Sequence, residues 1–235
     1  MILGLLSDAH GNAGALAACL QVLAAEGAER CFFLGDAVGY LPEENAVLGL
    51  LQARGVTCLR GNHEAMLLEQ LPIPPERDAV YRLSEARLRL EPRYRDWIGR
   101  WPERLELELS GKRLLLVHGS PADPLQGYVY PDSDITPWRD LAVAALAMGH
   151  THRPFCAHAG PLLVLNVGSC GMPRDAGGLA SCARYDTATG TAELLRVPFD
   201  GAAAALRWGR AIAPAAAAVL TREPSGPVIG RVVAA

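Results

Sequence analysis

The chain has 235 residues, of which half are hydrophobic and a fifth are charged, and its formal net charge is -3. This length is enough to bury a sizeable core, and the composition is that of an ordinary globular protein. The slightly acidic balance excludes the basic surface that binds long nucleic acid or an anionic membrane, and no apolar run reaches the roughly 20 residues of a membrane helix.

In the first part of the chain, predicted strands alternate with predicted helices. Apolar runs predict three buried strands, residues 2–6, 31–34 and 56–59, with two helices between them, residues 13–25 and 42–54. Asn12 is placed to cap the first helix, and Pro42 to begin the second. This alternation is typical of a sheet that is covered by helices.

Residues 72–104 interrupt the alternation. Three closely spaced prolines open this segment, and charged helical stretches follow at residues 78–90 and 94–101. We interpret the segment as an inserted cap that overhangs a site at the end of the sheet.

The second half returns to strands. Residues 105–109 and 113–117 flank Ser110-Gly111, which predicts a hairpin whose second strand ends at His118. A loop-rich stretch covers residues 121–137. The remaining strand segments are residues 141–147, which lead into Gly149-His150, and residues 162–165, 179–185 and 192–197. The tail, residues 214–235, has no clear periodicity, and we expect it to be partly disordered. No linker divides the chain, so we expect one domain over residues 1–235.

The six cysteines form no closely spaced pair, and several lie inside apolar runs, such as Cys31 before Phe32. This distribution argues against a zinc knuckle or a disulfide scaffold and favours buried, reduced thiols. The N-terminus lacks the positively charged region of a signal peptide. We therefore expect a cytoplasmic protein.

Five of the six histidines fall into short polar clusters, and His158 alone stands outside them. The clusters are Asp8-Ala9-His10, Gly35-Asp36, Gly61-Asn62-His63-Glu64, His118 and Gly149-His150-Thr151-His152. Most of them directly follow an apolar run, which places them at the carboxyl edge of a sheet, where α/β proteins hold their sites. One such cluster would be explained by turn residues at a strand end. Five in order instead indicate a metal site, because histidine, carboxylate and amide oxygen are the ligands that hold divalent metals for phosphate ester hydrolysis.

The order D-x-H, G-D, G-N-H-E, H and G-H-x-H resembles the calcineurin-like metallophosphoesterase superfamily, over residues 8–174. Residues 35–40 resemble the G-D-x-x-G-Y motif of its small bacterial and archaeal phosphodiesterases. Residues 166–174 resemble their N-P-G-S-x-x-x-P-R motif, with Val167 in place of the usual proline. Residues 60–64 also match the R-G-N-H-E motif of the Ser/Thr phosphatases.

The resemblance implies an α/β fold, a four-layer αββα sandwich with a dimetal site at the carboxyl edge of the sheets. It implies that Asp8, His10 and His152 bind the first metal, that Asn62, His118 and His150 bind the second, and that Asp36 bridges both. Ligands that combine nitrogen and oxygen without thiolate suit two divalent ions such as Mn²⁺, Fe or Zn²⁺. By resemblance, Mn²⁺ is our first choice, with Fe, Zn²⁺, Ni²⁺ and Mg²⁺ as alternatives.

The resemblance also implies a mechanism in which a metal-bridging hydroxide attacks phosphorus in line. His63 would not bind metal but would protonate the leaving alkoxide or stabilise the transition state. Arg60, Tyr40 and Arg174 are candidate substrate contacts. Each also has a structural alternative: a role unrelated to phosphate for Arg60, packing for Tyr40 and a surface salt bridge for Arg174.

The leading prediction is a metal-dependent phosphoesterase that acts on a phosphodiester, such as a cyclic nucleotide or another small diester. Phosphomonoesters, phosphoproteins and diadenosine polyphosphates are alternative substrates, supported by the R-G-N-H-E match. The alternative from another class is an inactive protein-binding scaffold, as in a retromer subunit of similar fold. The expected partner is a small phosphoester, without long nucleic acid or membrane. The sequence leaves the oligomeric state open, and a homodimer through the apolar C-terminal segment is one option.

Overall fold

The computed structural model describes residues 1–224 and 226–234, and it forms two β-sheets with helices. The strands are β1 Ile2–Leu6, β2 Arg30–Phe33, β3 Thr57–Cys58, β4 Arg104–Leu109, β5 Lys112–Val117, β6 Ala145–Met148, β7 Phe155–Ala159, β8 Leu162–Asn166, β9 Leu179–Asp186, β10 Thr191–Pro198 and β11 Arg231–Val232. The α-helices are α1 Ala13–Ala25, α2 Glu44–Ala53, α3 Asn62–Leu67, α4 Pro75–Tyr81, α5 Leu83–Arg89, α6 Pro92–Ile98, α7 Gly201–Trp208 and α8 Pro214–Leu220. Two short 3-10 helices lie at Thr136–Trp138 and Gly209–Ala211.

The first sheet has the strand order β11-β10-β9-β1-β2-β3, and the second has the order β4-β5-β6-β8-β7. In the first sheet, β1, β2 and β3 run parallel. In the second sheet, β5, β6 and β8 run parallel. Loops that follow these parallel strands leave from their carboxyl ends, which is where the predicted ligands stand.

The two sheets pack face to face. Alternate residues of each strand point to opposite faces, so one face of each sheet lines a shared core. On β1, Leu3 and Leu5 join the shared core between the sheets, and on β5, Leu114 and Leu116 join the same core. Leu6 faces the other way, toward a second cluster that includes residues of α1 and α2. The predicted α/β fold with two packed sheets is therefore confirmed, whereas the outer layer on the second sheet contains no α-helix among the described residues.

The outer face of the second sheet is covered mainly by the segment 129–143. There Val129 is buried in one cluster with Leu115 and Val117 of β5, and Trp138 packs against that cluster. The regular structure of this covering segment is the 3-10 helix at Thr136–Trp138. None of the helices in the described residues combines the length and hydropathy needed to span a membrane.

The structure corrects two sequence-based expectations and adds one strand. The helix predicted over residues 78–90 is two helices, because Arg82 adopts a left-handed backbone with φ 56° between α4 and α5. The strand β7 was not predicted. The tail was expected to be partly disordered, whereas its described residues include α8, whose Leu220 is buried, and β11, which pairs with β10. Elements this short show no periodicity in sequence; residues 225 and 235 lie outside the described residues.

Candidate metal centre

All seven predicted metal ligands come together at the carboxyl edge of the sheets, and all are buried. Asp8 and His10 follow β1, Asp36 follows β2, Asn62 begins α3 beyond β3, His118 follows β5, and His150 and His152 follow β6. Buried carboxylates and imidazoles carry a large desolvation penalty unless they pair with charge or coordinate a cation. The edge thus holds a cluster whose composition calls for cations.

Five of these residues adopt the left-handed backbone region that favours glycine. They are Asp8 with φ 58°, His10 with φ 47°, Asp36 with φ 63°, His150 with φ 67° and His152 with φ 58°. Such conformations persist only where the surrounding structure holds them, and they concentrate at functional sites. Here backbone hydrogen bonds join the strand-end loops, with Asp8 N donating to Gly35 O at 2.9 Å and His10 N donating to Asp36 O at 3.0 Å.

Backbone carbonyls fix the orientation of three of the histidine rings. The Nδ1 atoms of His10, His118 and His152 lie 3.1, 2.8 and 2.6 Å from the carbonyl oxygens of Val38, Leu34 and Met172, respectively. Since a carbonyl can only accept, each Nδ1 carries a proton, and each Nε2 is the ring nitrogen that faces the cluster. This is the arrangement in which histidine binds a metal.

The first group of ligands consists of Asp8, His10 and His152. The two Nε2 atoms of the histidines are 3.1 Å apart, and Asp8 Oδ1 lies 3.2 Å from His152 Nε2 and 3.6 Å from His10 Nε2. Asp8 Oδ1 has no hydrogen-bond partner. Atoms that bind one metal at about 2.0–2.2 Å are about 3–3.6 Å apart, so these spacings fit a cation among three lone-pair donors that would otherwise repel one another.

The second group consists of Asn62, His118 and His150. His118 Nε2 lies 3.0 Å from Asn62 Oδ1 and 3.1 Å from His150 Nδ1, again within the spacing of atoms that share a metal. His150 faces this group through Nδ1, and its Nε2 atom is buried without a hydrogen-bond partner.

Asp36 lies between the two groups. Its Oδ2 atom is 3.6 Å from His10 Nε2 in the first group and 3.4 Å from His118 Nε2 in the second. Its Oδ1 atom accepts a hydrogen bond of 2.9 Å from the backbone N–H of His63. One carboxylate oxygen is thus within reach of ligands from both groups.

The electrostatics keep both carboxylates ionised. Burial tends to raise the pKa of Asp8 and Asp36, but neighbouring histidines, His152 and His118 foremost, hold both pKa values well below the usual range. Burial lowers the pKa of His150 to about 3, with the charge of His118 acting in the same direction. The site thus combines ionised carboxylates with a neutral imidazole, and both are forms that coordinate metal.

Glu64 is a supporting residue to which the sequence analysis gave no role. Its buried carboxylate accepts three backbone hydrogen bonds of 2.7–2.8 Å, from Asp36, Ala37 and Gly61. Burial, together with the charge of Asp36, raises the pKa of Glu64 to about 7. Glu64 thus connects the loop that carries Asp36 with the start of α3. The sequence signal for this role was its position as the last residue of R-G-N-H-E.

The motif at residues 166–174 supports the site loops from behind. Asn166 donates from its side-chain amide to Gly149 O at 2.7 Å, and Ser169 donates from its hydroxyl to Asp8 O at 2.7 Å. Val167, which replaces the usual proline, is fully buried in the core between the sheets. The motif therefore links the loops that carry ligands from both groups.

His63 stands beside the cluster. Its Nε2 atom is 4.0 Å from Asp36 Oδ2, farther than the spacing within either group. Its ring packs against Tyr40, with a centroid distance of 5.1 Å, and against Tyr81 at 4.6 Å. Tyr81 ends α4, so the segment 72–104 contributes a ring to the surroundings of His63. No sequence signal singled out this tyrosine.

Two of the three candidate substrate contacts lie near the cluster. Arg174 donates to Tyr40 Oη at 3.3 Å, and its backbone N–H donates to His152 O at 3.2 Å. Arg60 is held elsewhere, because its guanidinium donates to the carbonyl of Trp101 and to the side chain of Gln70. The prediction of a phosphate contact for Arg60 does not fit this geometry.

Comparison with known proteins identifies the family. A sequence profile of the Calcineurin-like phosphoesterase superfamily domain matches residues 1–190. The chain belongs to this superfamily. The recognition made from the spacing of the polar clusters is thereby confirmed, and the buried cluster of histidine and aspartate is one that can hold metal.

Relatives of this superfamily member span nearly its whole length. It is 27% identical over 219 residues to the uncharacterized protein MJ0912 of Methanocaldococcus jannaschii, with 85% of this chain and 88% of the relative covered. A metallophosphoesterase from Sphaerobacter thermophilus has a similar structure, with a TM-score of 0.77, 22% identity, and 94% and 98% of the two chains covered. The hypothetical protein PH1004 from Pyrococcus horikoshii OT3 gives a TM-score of 0.80, 22% identity, and 96% and 99% coverage. At this identity the two structures establish the fold.

Proposed function

We propose that this superfamily member is a phosphoric ester hydrolase that uses two divalent cations to cleave small phosphodiesters. The observation that carries the proposal is the position of Asp36 Oδ2, within 3.6 Å of a ligand nitrogen in each group. A shared carboxylate offsets the repulsion between two cations at the roughly 3.5–4 Å separation of two-metal sites.

The ligand set suits hard or borderline divalent ions, because it offers imidazole nitrogen, carboxylate and amide oxygen without thiolate. By family resemblance, Mn²⁺ is the first candidate. Bound there, the ions would supply Lewis acidity toward phosphoryl oxygen and a water of lowered pKa as the nucleophile. Neutral Asn62, in place of a further carboxylate, leaves the loaded site more positive and therefore better suited to an anionic ester.

His63 is the proposed proton donor to the leaving oxygen. Its ring is fixed between Tyr40 and Tyr81, and Asp36 Oδ1 accepts from its backbone N–H. The ring nitrogens sit next to the ligand cluster, where His63 could also share a metal with His10 and Asp36; we assign it to proton transfer because its 4.0 Å separation from Asp36 Oδ2 exceeds the spacing within either group. A proton donor needs this position, because it must approach the leaving group while the nucleophile attacks from the opposite side.

Arg174 and Tyr40 are the proposed contacts to the non-bridging phosphoryl oxygens. Their direct contact of 3.3 Å and the backbone link from Arg174 to His152 put a cation and a hydroxyl beside the first ligand group. A guanidinium is suited to this task because its charge persists at any working pH and its donors match phosphate geometry.

A small diester is favoured over a phosphoprotein. The protein phosphatase alternative rested on R-G-N-H-E, in which the arginine would contact phosphate. In this chain Arg60 is occupied by Trp101 and Gln70, so one cation that would balance a dianionic monoester is missing from the site. The inactive scaffold alternative is disfavoured because all seven ligand positions are filled and their lone pairs converge.

The test combines metal content with turnover. Protein stripped with chelator and reloaded with Mn²⁺ is expected to bind two ions per chain and to hydrolyse bis-p-nitrophenyl phosphate. Asp36→Asn is expected to bind fewer than two ions and to lose more than about 100-fold in turnover, since even residues that only orient metal ligands cost 10–100-fold. Asp140→Asn, at a side chain that is 91% exposed, is the matched control. Two bound ions without hydrolysis of any phosphoester would instead support the scaffold.

A further inference from the structure

Two exposed tyrosines lie beside the second ligand group. Tyr128 is 51% exposed and Tyr130 is 39% exposed, and their rings are nearly parallel, with 10° between planes and 6.0 Å between centroids. The ring of Tyr128 also lies 4.2 Å from that of His150. An aromatic surface, Tyr128 and Tyr130, thus extends outward from a proposed metal ligand.

The surface is held in place. Val129 between the two tyrosines is buried against the outer face of the second sheet, so the alternation of an extended segment turns both rings the other way. A turn fixes the far end, where Tyr130 N donates to Ser133 Oγ at 2.9 Å and Ser133 N donates to Tyr130 O at 3.0 Å. At the near end, Gly127 N donates to Asp123 O at 3.1 Å. The rings therefore belong to an anchored loop.

Cationic side chains adjoin the aromatic surface. Burial raises the pKa of the Tyr128 phenol, and the positive charges of Arg174 and Arg77 oppose that rise. Arg174 is the proposed phosphate contact, and Arg77 comes from α4 and donates to Tyr81 Oη at 3.5 Å. The same mouth thus offers metal ligands, guanidinium groups and an exposed aromatic face.

We infer that Tyr128 is a specificity-determining residue, and that the substrate is a phosphoester that carries a flat aromatic group, which stacks on Tyr128 while its phosphate lies at the ligand cluster. The inference rests on the proposed function and names its substrate class. Aromatic side chains bind a nucleobase or an aryl group by π-stacking, whatever the identity of the base. Two exposed tyrosines therefore suit a substrate with an aromatic group better than one with a purely polar alcohol group. The two sources, nucleoside and aryl ester, share this chemistry.

The first experiment compares paired esters on the Mn²⁺-loaded protein. One pair is adenosine 2′,3′-cyclic phosphate and the same cyclic phosphate of 1-O-methylribose, which lacks the base. The wild-type protein is expected to prefer the ester with the base in kcat/KM by roughly 5- to 150-fold, the range that one base–aromatic stack contributes. A second pair, benzyl methyl and cyclohexylmethyl methyl phosphate, whose leaving alkoxides are of similar basicity, tells an aryl from a nucleoside requirement.

Substitutions then locate the preference. In Tyr128→Ala the preference for the ester with the base is expected to fall below threefold, chiefly through KM, whereas Tyr128→Phe keeps it because the ring remains. Tyr130→Ala is expected to lose part of it. Leu206→Ala, at an exposed side chain on α7, is the control that keeps wild-type kinetics.

Several outcomes would overturn the inference while leaving the proposed function intact. They are equal turnover of both members of each pair by the wild type, an equal loss on both members in Tyr128→Ala, or a dimer in sedimentation that Tyr128→Ala converts to monomer. The last would assign the rings to an interface between copies. If no ester is hydrolysed, the proposed function fails, and calorimetry of adenosine 5′-monophosphate against ribose 5-phosphate still tests the stacking. The inference is supported if the nucleotide binds more tightly than ribose 5-phosphate and Tyr128→Ala abolishes that difference. Equal affinity for the two ligands would refute it.

Discussion

The ligand cluster and the helix α4 that reaches it are built in opposite ways. In the cluster every proposed ligand is buried and the loops are joined by backbone hydrogen bonds, whereas α4 buries none of its residues. The helix contributes to the site through Tyr81 at its end, whose carbonyl accepts from Tyr40 N at 2.5 Å.

This difference indicates a division of roles, with the reaction at the buried ligand cluster and substrate selection at the exposed rim. The cluster holds five residues in the left-handed region, and such strain is sustained only by a surrounding structure that opens rarely. In the exposed rim, the side chain of Arg77 and the rings of the aromatic surface face solvent, so substitutions there should leave the loops that carry the ligands intact. Substitutions in the two regions should therefore differ in both size and kind of effect.

The largest effect is expected at His63. His63→Ala should retain both metals and lose about 10²–10⁴-fold in kcat, the contribution of a positioned proton donor. His158→Ala, at an exposed histidine on β7, is the matched control and should keep wild-type turnover. Metal content by atomic emission, measured beside turnover, separates the roles: if the variant loses an ion, His63 is a ligand and the proposed division of labour is wrong.

Sequence predicted that the proposed ligands would lie together, because strand-end residues need no long-range information to be recognised. Asp8, Asp36 and His118 each follow an apolar run, and parallel strands bring their carboxyl ends to one edge whatever the exact bounds. The candidate phosphate contact at Arg60 is disfavoured for a different reason. Its motif was intact, but the direction of its guanidinium depends on the carbonyl of Trp101, a contact 41 residues along the chain.

The rim could not be predicted for the same physical reason. Tyr128 lies near His150 because Val129 is buried on the second sheet, and nothing in the local sequence marks that valine as an anchor. The break between α4 and α5 depends on Arg82 adopting a left-handed backbone, which its residue type does not favour. Both features are decided by tertiary contacts.

A smaller effect is expected from the support of the Asp36 loop. Glu64→Gln replaces one accepting oxygen with an amide NH₂, so at least one of three buried N–H donors loses its partner, at a cost of about 1–3 kcal/mol. Metal affinity should fall by about 10–100-fold, as for other residues that orient ligands. Calorimetric titration with Mn²⁺ and thermal unfolding measure the two effects.

The control for Glu64 is a second buried carboxylate, whose partner is an arginine outside the ligand cluster. Glu44 is 1% exposed and accepts from Arg89 at 2.8 Å. Glu44→Gln should lower thermal stability and leave Mn²⁺ affinity unchanged. Equal losses of affinity in both variants would mean that the metal centre responds to general stability and has no dedicated support.

The smallest effect is expected in the inserted segment 72–104. Asp78 Oδ1 accepts from the backbone N–H groups of Leu83 at 2.9 Å and Ser84 at 3.1 Å, and so caps the start of α5. Asp78→Ala should cost about 1 kcal/mol, as the loss of a helix cap does, and Asp78→Asn should restore most of it. Amide hydrogen exchange should quicken across α4 and α5 while the amides of Asp8 and Asp36 keep their protection, because their partners lie on other loops. Faster exchange at those two amides would show that the inserted segment and the ligand cluster open as one unit. The inferred difference in stability between the two regions would then be wrong.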